Sequence, residues 1–150
     1  MSKFSALSIS WSGAIALAVN ITTVPVATIL VVDDYLDSLQ VWDMYLRTVG
    51  FDVLTATDGA GALEQAIEHR PDVVVLDLEL PDMSGLDVAR ALRAHDRTSH
   101  IPLIAATGYS QTEQLDAARR SGFDAVLLKP CEPQLLVTEI RRLLVAYTPP

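Results

Sequence analysis

A single cysteine, Cys131, stands in a chain of 150 residues, so no internal disulfide can staple it. That scarcity suits a reducing compartment, and the expected location is cytoplasmic. No Cys and His lie at metal-site spacing, and His69, His95 and His100 are scattered near helix ends, where they read as surface residues. Positive charge is scarce as well: 11 Lys and Arg face 19 Asp and Glu, for a net charge of -8. This leaves no general electrostatic footprint for nucleic acid or for an anionic membrane. What the chain does have is a globular composition, 50% hydrophobic and 20% charged. Its length fits one domain with a full core.

The first 27 residues stand apart. Met1-Ser2-Lys3 followed by the apolar stretch from Trp11 to Val19 has the outline of a signal peptide. Only one basic residue precedes that stretch, however, and Ser12 and Asn20 interrupt it. It is also too short to cross a bilayer. Residues 1–27 are therefore expected to be an extension, poorly ordered or loosely docked, that begins at an upstream start codon. Export and a specific docking segment are the alternatives. The folded domain is expected over residues 28–146, with 147–150 as a tail and no output domain attached.

From Thr28 a pattern begins. Ile29-Leu30-Val31-Val32 is an apolar run ending in Asp33-Asp34, and Leu39, Trp42, Leu46 and Val49 then fall on one face of a helix. Gly50 follows, where a helix end wants positive φ. Val53 to Ala56 is a short strand, and Asp58 is placed to cap a helix carrying Ala62, Leu63, Ala66 and Ile67. Pro71 stops that helix. Val73-Val74-Val75-Leu76-Asp77 is then a strand apolar enough to be covered on both faces. A helix with Leu86, Ala89 and Leu92 inward leads to a fourth strand, Pro102 to Ala106, ending at Thr107-Gly108. A more weakly amphipathic helix spans Gln111 to Ser121, carried by Leu115 and Ala118. Ala125 to Leu128 is the fifth strand, ending at Lys129-Pro130, and the last helix starts near Pro133 with Leu136, Ile140 and Leu143 inward. Five strands alternating with five helices predict an α/β fold, a doubly wound (βα)5 parallel sheet with helices on both faces.

A parallel sheet gathers its strand ends at one edge, whatever their separation in sequence. Asp33 and Asp34 end the first strand, Asp77 the third, Thr107 the fourth and Lys129 the fifth. In the flavodoxin-like order 2-1-3-4-5 the first and third strands are neighbours, so the acidic cluster falls at the topological switch point. Three close carboxylates repel one another unless a cation binds, and Mg2+ suits few carboxylates plus phosphate oxygens. A carboxylate can also attack phosphorus to give an aspartyl phosphate. Phosphoryl transfer needs positioning and charge stabilisation at three equatorial oxygens, which one metal, one ammonium and one hydroxyl can serve.

With those residues in hand, residues 28–146 resemble a response-regulator receiver domain of two-component signalling. The motifs that carry the resemblance are Val31-Val32-Asp33-Asp34, Leu76-Asp77-Leu78-Glu79-Leu80-Pro81-Asp82-Met83-Ser84-Gly85, Ala106-Thr107-Gly108 and Leu128-Lys129-Pro130. Ala106-Thr107-Gly108-Tyr109 and Gly122-Phe123-Asp124-Ala125 are similar to receivers of hybrid sensor kinases. The resemblance implies that Asp77 is the phosphoacceptor and that Asp33 and Asp34 hold Mg2+, Asp34 directly. It implies that the backbone carbonyl of Glu79 completes the metal site, that Thr107 moves its hydroxyl onto the phosphoryl group, and that Lys129 pairs with it. Lys129-Pro130 would be a cis peptide, and the small Gly108 would leave the site open to the donor. The expected donor is a sensor histidine kinase or a histidine phosphotransfer protein, and the output is phosphorylation-dependent binding of a downstream protein. No nucleic acid or membrane partner is expected, and the chain would be a monomer or a phosphorylation-dependent dimer. It would be no enzyme toward external substrates, catalysing only its own phosphorylation and dephosphorylation.

Each residue also has a plainer reading: Asp33 and Asp34 as helix caps, Lys129 as a solvated strand end, Thr107 as a turn hydroxyl, and Cys131 as packing. One position departs from the family. Receivers often carry Tyr or Phe three residues before the lysine, and here Val126 stands there, so the switch is expected to run through Thr107 and loop repacking, with Tyr109 contributing. Alternative functions are a phosphate sink or relay intermediate, a phosphorylation-independent pseudo-receiver, and a dehalogenase-type phosphatase. The last wants a second Asp where Glu79 stands.

Overall fold

The computed structural model describes residues 25–108 and 110–147. The expected extension thus lies outside the described residues up to position 24, as do Tyr109 and residues 148–150. The elements are β1 (Thr28–Val32), α1 (Leu36–Thr48), β2 (Asp52–Ala56), α2 (Gly59–His69), β3 (Val73–Asp77), α3 (Gly85–Ala94), β4 (Leu103–Thr107), α4 (Thr112–Arg120), β5 (Ala125–Leu128) and α5 (Pro133–Ala146). All five strands pair in parallel in the order β2-β1-β3-β4-β5, as expected from the alternation.

Local chemistry sets where the helices start and stop. Asp58 accepts from Gly61 N at 2.7 Å and caps α2, while Ser84 Oγ accepts from Leu86 N at 3.1 Å and caps α3. Pro133 occupies the first turn of α5, where its missing N–H costs nothing. Gly50 and Gly122 follow α1 and α4 with φ of 108°, a conformation that side chains with a Cβ resist. At the end of α2 the same left-handed geometry falls on Arg70, φ 46°, just ahead of Pro71.

Alternation along the strands divides the core. Leu30, Val32, Val74, Leu76, Leu103 and Ala105 face α2, α3 and α4 through Ala62, Ala66, Val88, Ala89, Leu92 and Ala118. Ile29, Val31, Val73, Val75, Ile104 and Ala106 face α1 and α5 through Leu39, Trp42, Leu46, Leu136, Val137, Ile140 and Leu143. Each fully buried aliphatic side chain contributes roughly 1.5–3 kcal/mol, so the sheet edge above is carried on a rigid base. Two inward positions differ from the sequence pattern. Val88 is fully buried and Leu86 only half-buried, because α3 turns its Gly85 and Val88 edge to the sheet. Leu115 is half-buried as well, leaving Ala118 as the one buried residue of α4.

Candidate functional site

Register brings the strand ends together. Val32 pairs with Leu76, Asp77 with Ala106, and Thr107 with Leu128, so Asp33, Asp77, Thr107 and Lys129 all come to the C-terminal edge of the sheet. One carboxylate oxygen from each of Asp33, Asp34 and Asp77 lies within 4.8 Å of the others. From the end of β5, Lys129 reaches past β4 to the ends of β3 and β1: its Nζ is 2.9 Å from Asp33 Oδ2 and 3.1 Å from Asp77 Oδ2. The Lys129 backbone N–H donates to the Thr107 carbonyl at 2.8 Å, and the Lys129-Pro130 peptide is cis, as expected.

The two neighbouring acids have different surroundings. Asp33 is 3% exposed, and its Oδ1 accepts from Tyr35 N at 2.9 Å, whereas Asp34 is exposed. Asp77 is half-buried, with Oδ1 accepting from Glu79 N at 3.0 Å and Oδ2 on Lys129. Burial is the largest influence on the Asp77 carboxyl and, helped by Asp33, leaves its pKa above the usual value, although the Glu79 amide and Lys129 pull it down. For Lys129, burial is again the largest single influence and favours the neutral amine. The hydrogen bonds and charges of Asp33 and Asp77 together outweigh it, so the ammonium is held above its ordinary range.

Thr107 is 1% exposed at the end of β4. Glu79 has an exposed side chain and pairs its backbone antiparallel with Ser84. A Cβ on Gly108 would meet no described atom within 4 Å beyond its chain neighbours. Gly85 is the opposite case. A Cβ there would collide with the Asp77 carbonyl oxygen and lie 2.7 Å from Leu78 Cα, so glycine is what lets α3 start so close to the acid. Beside the acids a cleft of about 540 Å³ opens between α1 and the β5–α5 loop, lined by Tyr35, Val41, Trp42, Pro130, Cys131 and Pro133 among others. Tyr35, Leu36, Val41 and Met44 are exposed around it, an apolar surface of the kind that meets other proteins.

The donor set is three hard carboxylate oxygens, with the Lys129 ammonium on two of the acids. It fits a hard divalent cation such as Mg2+ and does not fit a soft metal. A family model described as the response regulator receiver domain matches residues 29–141. The chain belongs to that family. This receiver is 41% identical over 113 residues to the DNA-binding response regulator MtrA of Mycolicibacterium paratuberculosis, covering 75% of the chain and 49% of the relative. It is 40% identical over 116 residues to the transcriptional regulatory protein PrrA of Mycobacterium tuberculosis, covering 77% and 49%. The receiver thus spans about half the length of the curated relatives it matches. Among solved structures, the chemotaxis response regulator CheY4 of Vibrio cholerae superposes with a TM-score of 0.76 at 29% identity, over 79% of this chain and 99% of that one. The receiver domain of the sensor histidine kinase PA1611 from Pseudomonas aeruginosa, with a magnesium ion coordinated in its active site cleft, gives 0.75 at 26% identity, over 81% and 99%.

Other sequence expectations have their places too. Val126 is half-buried and packs on the α2–α4 face of the core. Cys131 is half-buried against the opposite cluster, and burial, then Glu132, push its thiol above the ordinary range, which agrees with packing. His69 and His100 are exposed, while His95 is half-buried with Nδ1 accepting from Arg97 N at 3.1 Å. Among the described residues, no helix is long and apolar enough to cross a membrane. Sequence reasoning missed Asp82, which binds the start of α2, and the Arg93–Asp124 pair below the sheet. Each joins a helix to a loop distant in sequence, where no periodicity signals it.

Proposed function

We propose that this receiver accepts a phosphoryl group on Asp77 from a sensor histidine kinase or histidine phosphotransfer protein and signals by phosphorylation-dependent protein binding. The observation that carries this reading is the convergence of Asp33, Asp34, Asp77 and Lys129 at one sheet edge with Thr107 beside them. An Asp77 carboxylate oxygen attacks phosphorus, the donor's P–N bond breaks, and the histidine nitrogen leaves with the electron pair. Lys129 then pairs with the phosphoryl oxygens, and the Thr107 hydroxyl donates to another. Asp33, Asp34, Asp77 and the Glu79 carbonyl would hold Mg2+, which supplies charge neutralisation at the phosphoryl oxygens. Water attack in the same place returns phosphate and free Asp77, so the only chemistry is the protein's own phosphorylation and its reversal.

The phosphoryl group adds about -1.5 to -2 charges and three acceptor oxygens, enough to bias Thr107 and the β4–α4 loop between two arrangements. The face beyond is formed by α4, β5 and α5, where a cavity of about 550 Å³ is lined by Arg119, Phe123, Val126, Leu135, Glu139 and Arg142 among others. With Val126 in place of an aromatic residue, the readout runs through loop repacking. The exposed apolar residues around the site suit a protein donor, the net charge of -8 argues against nucleic acid as the receiver's own ligand, and the lone cysteine suits a cytoplasmic setting. The test is incubation with acetyl phosphate and Mg2+ followed by intact-mass measurement. Wild type is expected to gain one phosphoryl group and Asp77→Asn none. A wild type that gains nothing would sink the mechanism, and labelling of Asp77→Asn would move the acceptor elsewhere.

A further inference from the structure

The loop from Leu78 to Ser84 leaves directly from Asp77. Its base is closed by backbone: Gly85 N donates to the Leu78 carbonyl at 2.9 Å, and Glu79 pairs with Ser84. Its tip is at the surface, with Pro81 and Asp82 exposed. Asp82 ties this tip down. Its Oδ1 accepts from Gly59 N at 2.7 Å and its Oδ2 from Ala60 N at 2.9 Å, at the start of α2. The first amides of a helix have no partner within it, and a carboxylate there meets both the N–H groups and the positive end of the helix dipole. These two bonds hold the Asp82 carboxyl below its ordinary range. The third amide, Gly61 N, is already taken by Asp58, so α2 has its own cap without Asp82. Met83 completes the contact, because a Cβ on Gly59 would lie only 2.7 Å from Met83 Sδ. A larger residue at the start of α2 would have to displace the Met83 side chain.

We propose that Asp82 is a positioning residue for phosphoryl transfer: by tying the loop tip to α2 it fixes Glu79, whose amide holds Asp77 Oδ1. This rests on the reading of Asp77 as phosphoacceptor. Asp77 has one oxygen on Lys129 and the other on the Glu79 amide, so the loop sets the direction in which the carboxylate presents itself. The Glu79 carbonyl, proposed to face the metal, is carried by the same residue. Displacement of reacting groups by a fraction of an ångström to an ångström is enough to slow chemistry markedly.

The test uses the full chain as Asp82→Ala and Asp82→Asn. Two readouts are compared: hydrogen exchange of individual amides by nitrogen-15 NMR, and the rate of labelling by acetyl phosphate with Mg2+. In Asp82→Ala, exchange at the Glu79 amide is expected to speed up about tenfold and labelling to slow about tenfold, while the Tyr35 amide on Asp33 is unchanged. Asp82→Asn keeps one accepting oxygen and is expected to recover part of both. If Gly59 and Ala60 lose protection while Glu79 exchange and labelling stay within about twofold of wild type, Asp82 merely caps α2 and the proposal fails. If wild type does not label at all, the phosphoacceptor reading falls, and the proposal that Asp82 positions phosphoryl transfer falls with it. If Asp82→Ala does not fold, Asp82→Asn decides by the same comparison: loss at Ala60 with Glu79 intact overturns the proposal.

Discussion

Lys129 is the counter-charge on which the acidic site depends. Asp33 is nearly buried, and its repulsion with Asp77 is offset by the ammonium that touches both. Lys129→Met is expected to lower stability by about 1–3 kcal/mol in the absence of divalent metal, because it leaves a buried carboxylate short of its strongest partner. Adding Mg2+ should narrow the gap to wild type, since a cation that binds the folded state takes over part of the compensation. Urea unfolding in EDTA and in Mg2+ measures this, and a gap that does not narrow would mean that charge compensation is not what Lys129 supplies. Asp33, Asp34, Asp77, Thr107 and Lys129 were all legible in the sequence because a parallel sheet collects strand ends by topology alone. The resemblance implied that Asp34 touches the metal directly, but which acid is buried and which exposed was not legible. Asp33 is tied to Lys129 and to the Tyr35 amide while Asp34 stays exposed, and only the packing of the β1–α1 turn decides which is which.

Among the elements, α4 is the weakest bound. It buries Ala118 alone, whereas α5 buries Leu136, Val137, Ile140 and Leu143. At roughly 1.5–3 kcal/mol for each large aliphatic side chain, α5 is held by several kcal/mol more than α4. The Gln111 side chain gives α4 no capping bond at its start, although Ser121 and Gly122 close its end on the Ala117, Ala118 and Arg119 carbonyls. Hydrogen exchange followed by mass spectrometry should find the α4 amides opening by local unfolding at least about tenfold faster than those of α5. Equal protection in the two helices would contradict this. The sequence showed this weakness only in part. Thr112 to Arg120 is visibly poor in apolar residues, but the helical period made Leu115 an inward residue, and tertiary placement left it half-buried. In α3 the same ambiguity moved the buried edge from Leu86 to Val88. Periodicity fixes that a helix has an inner face more firmly than it fixes the rotation of that face.

Across the whole molecule, the edge of the sheet opposite the acids is closed by a network that spans four segments. Arg93 of α3 donates to the carbonyls of Gly122, Ser99 and Ile101 and pairs with Asp124 Oδ2 at 3.0 Å. The same Asp124 oxygen accepts from Leu103 N at the start of β4, and Asp124 Oδ1 accepts from the Tyr147 hydroxyl just past α5. One carboxylate therefore joins α3, β4, the turn before β5 and the end of α5. Asp124→Ala strands the Leu103 amide and part of the Arg93 guanidinium, and should cost about 2–4 kcal/mol by urea unfolding. Tyr147 gives the network a pH signature. Its bond to Asp124, then burial, raise the phenol above its ordinary range, so the folded state prefers the neutral hydroxyl. A group whose folded pKa is raised contributes stability in full below its unfolded value, about pH 10 for tyrosine, and loses it as pH rises through the folded value. The stability difference between wild type and Tyr147→Phe should accordingly stay level from neutral pH to about pH 10 and shrink above it. In an Asp124→Ala background the Tyr147→Phe change should have little effect at any pH, because the acceptor is gone. An undiminished effect there would show that the Tyr147 hydroxyl acts through a partner other than Asp124.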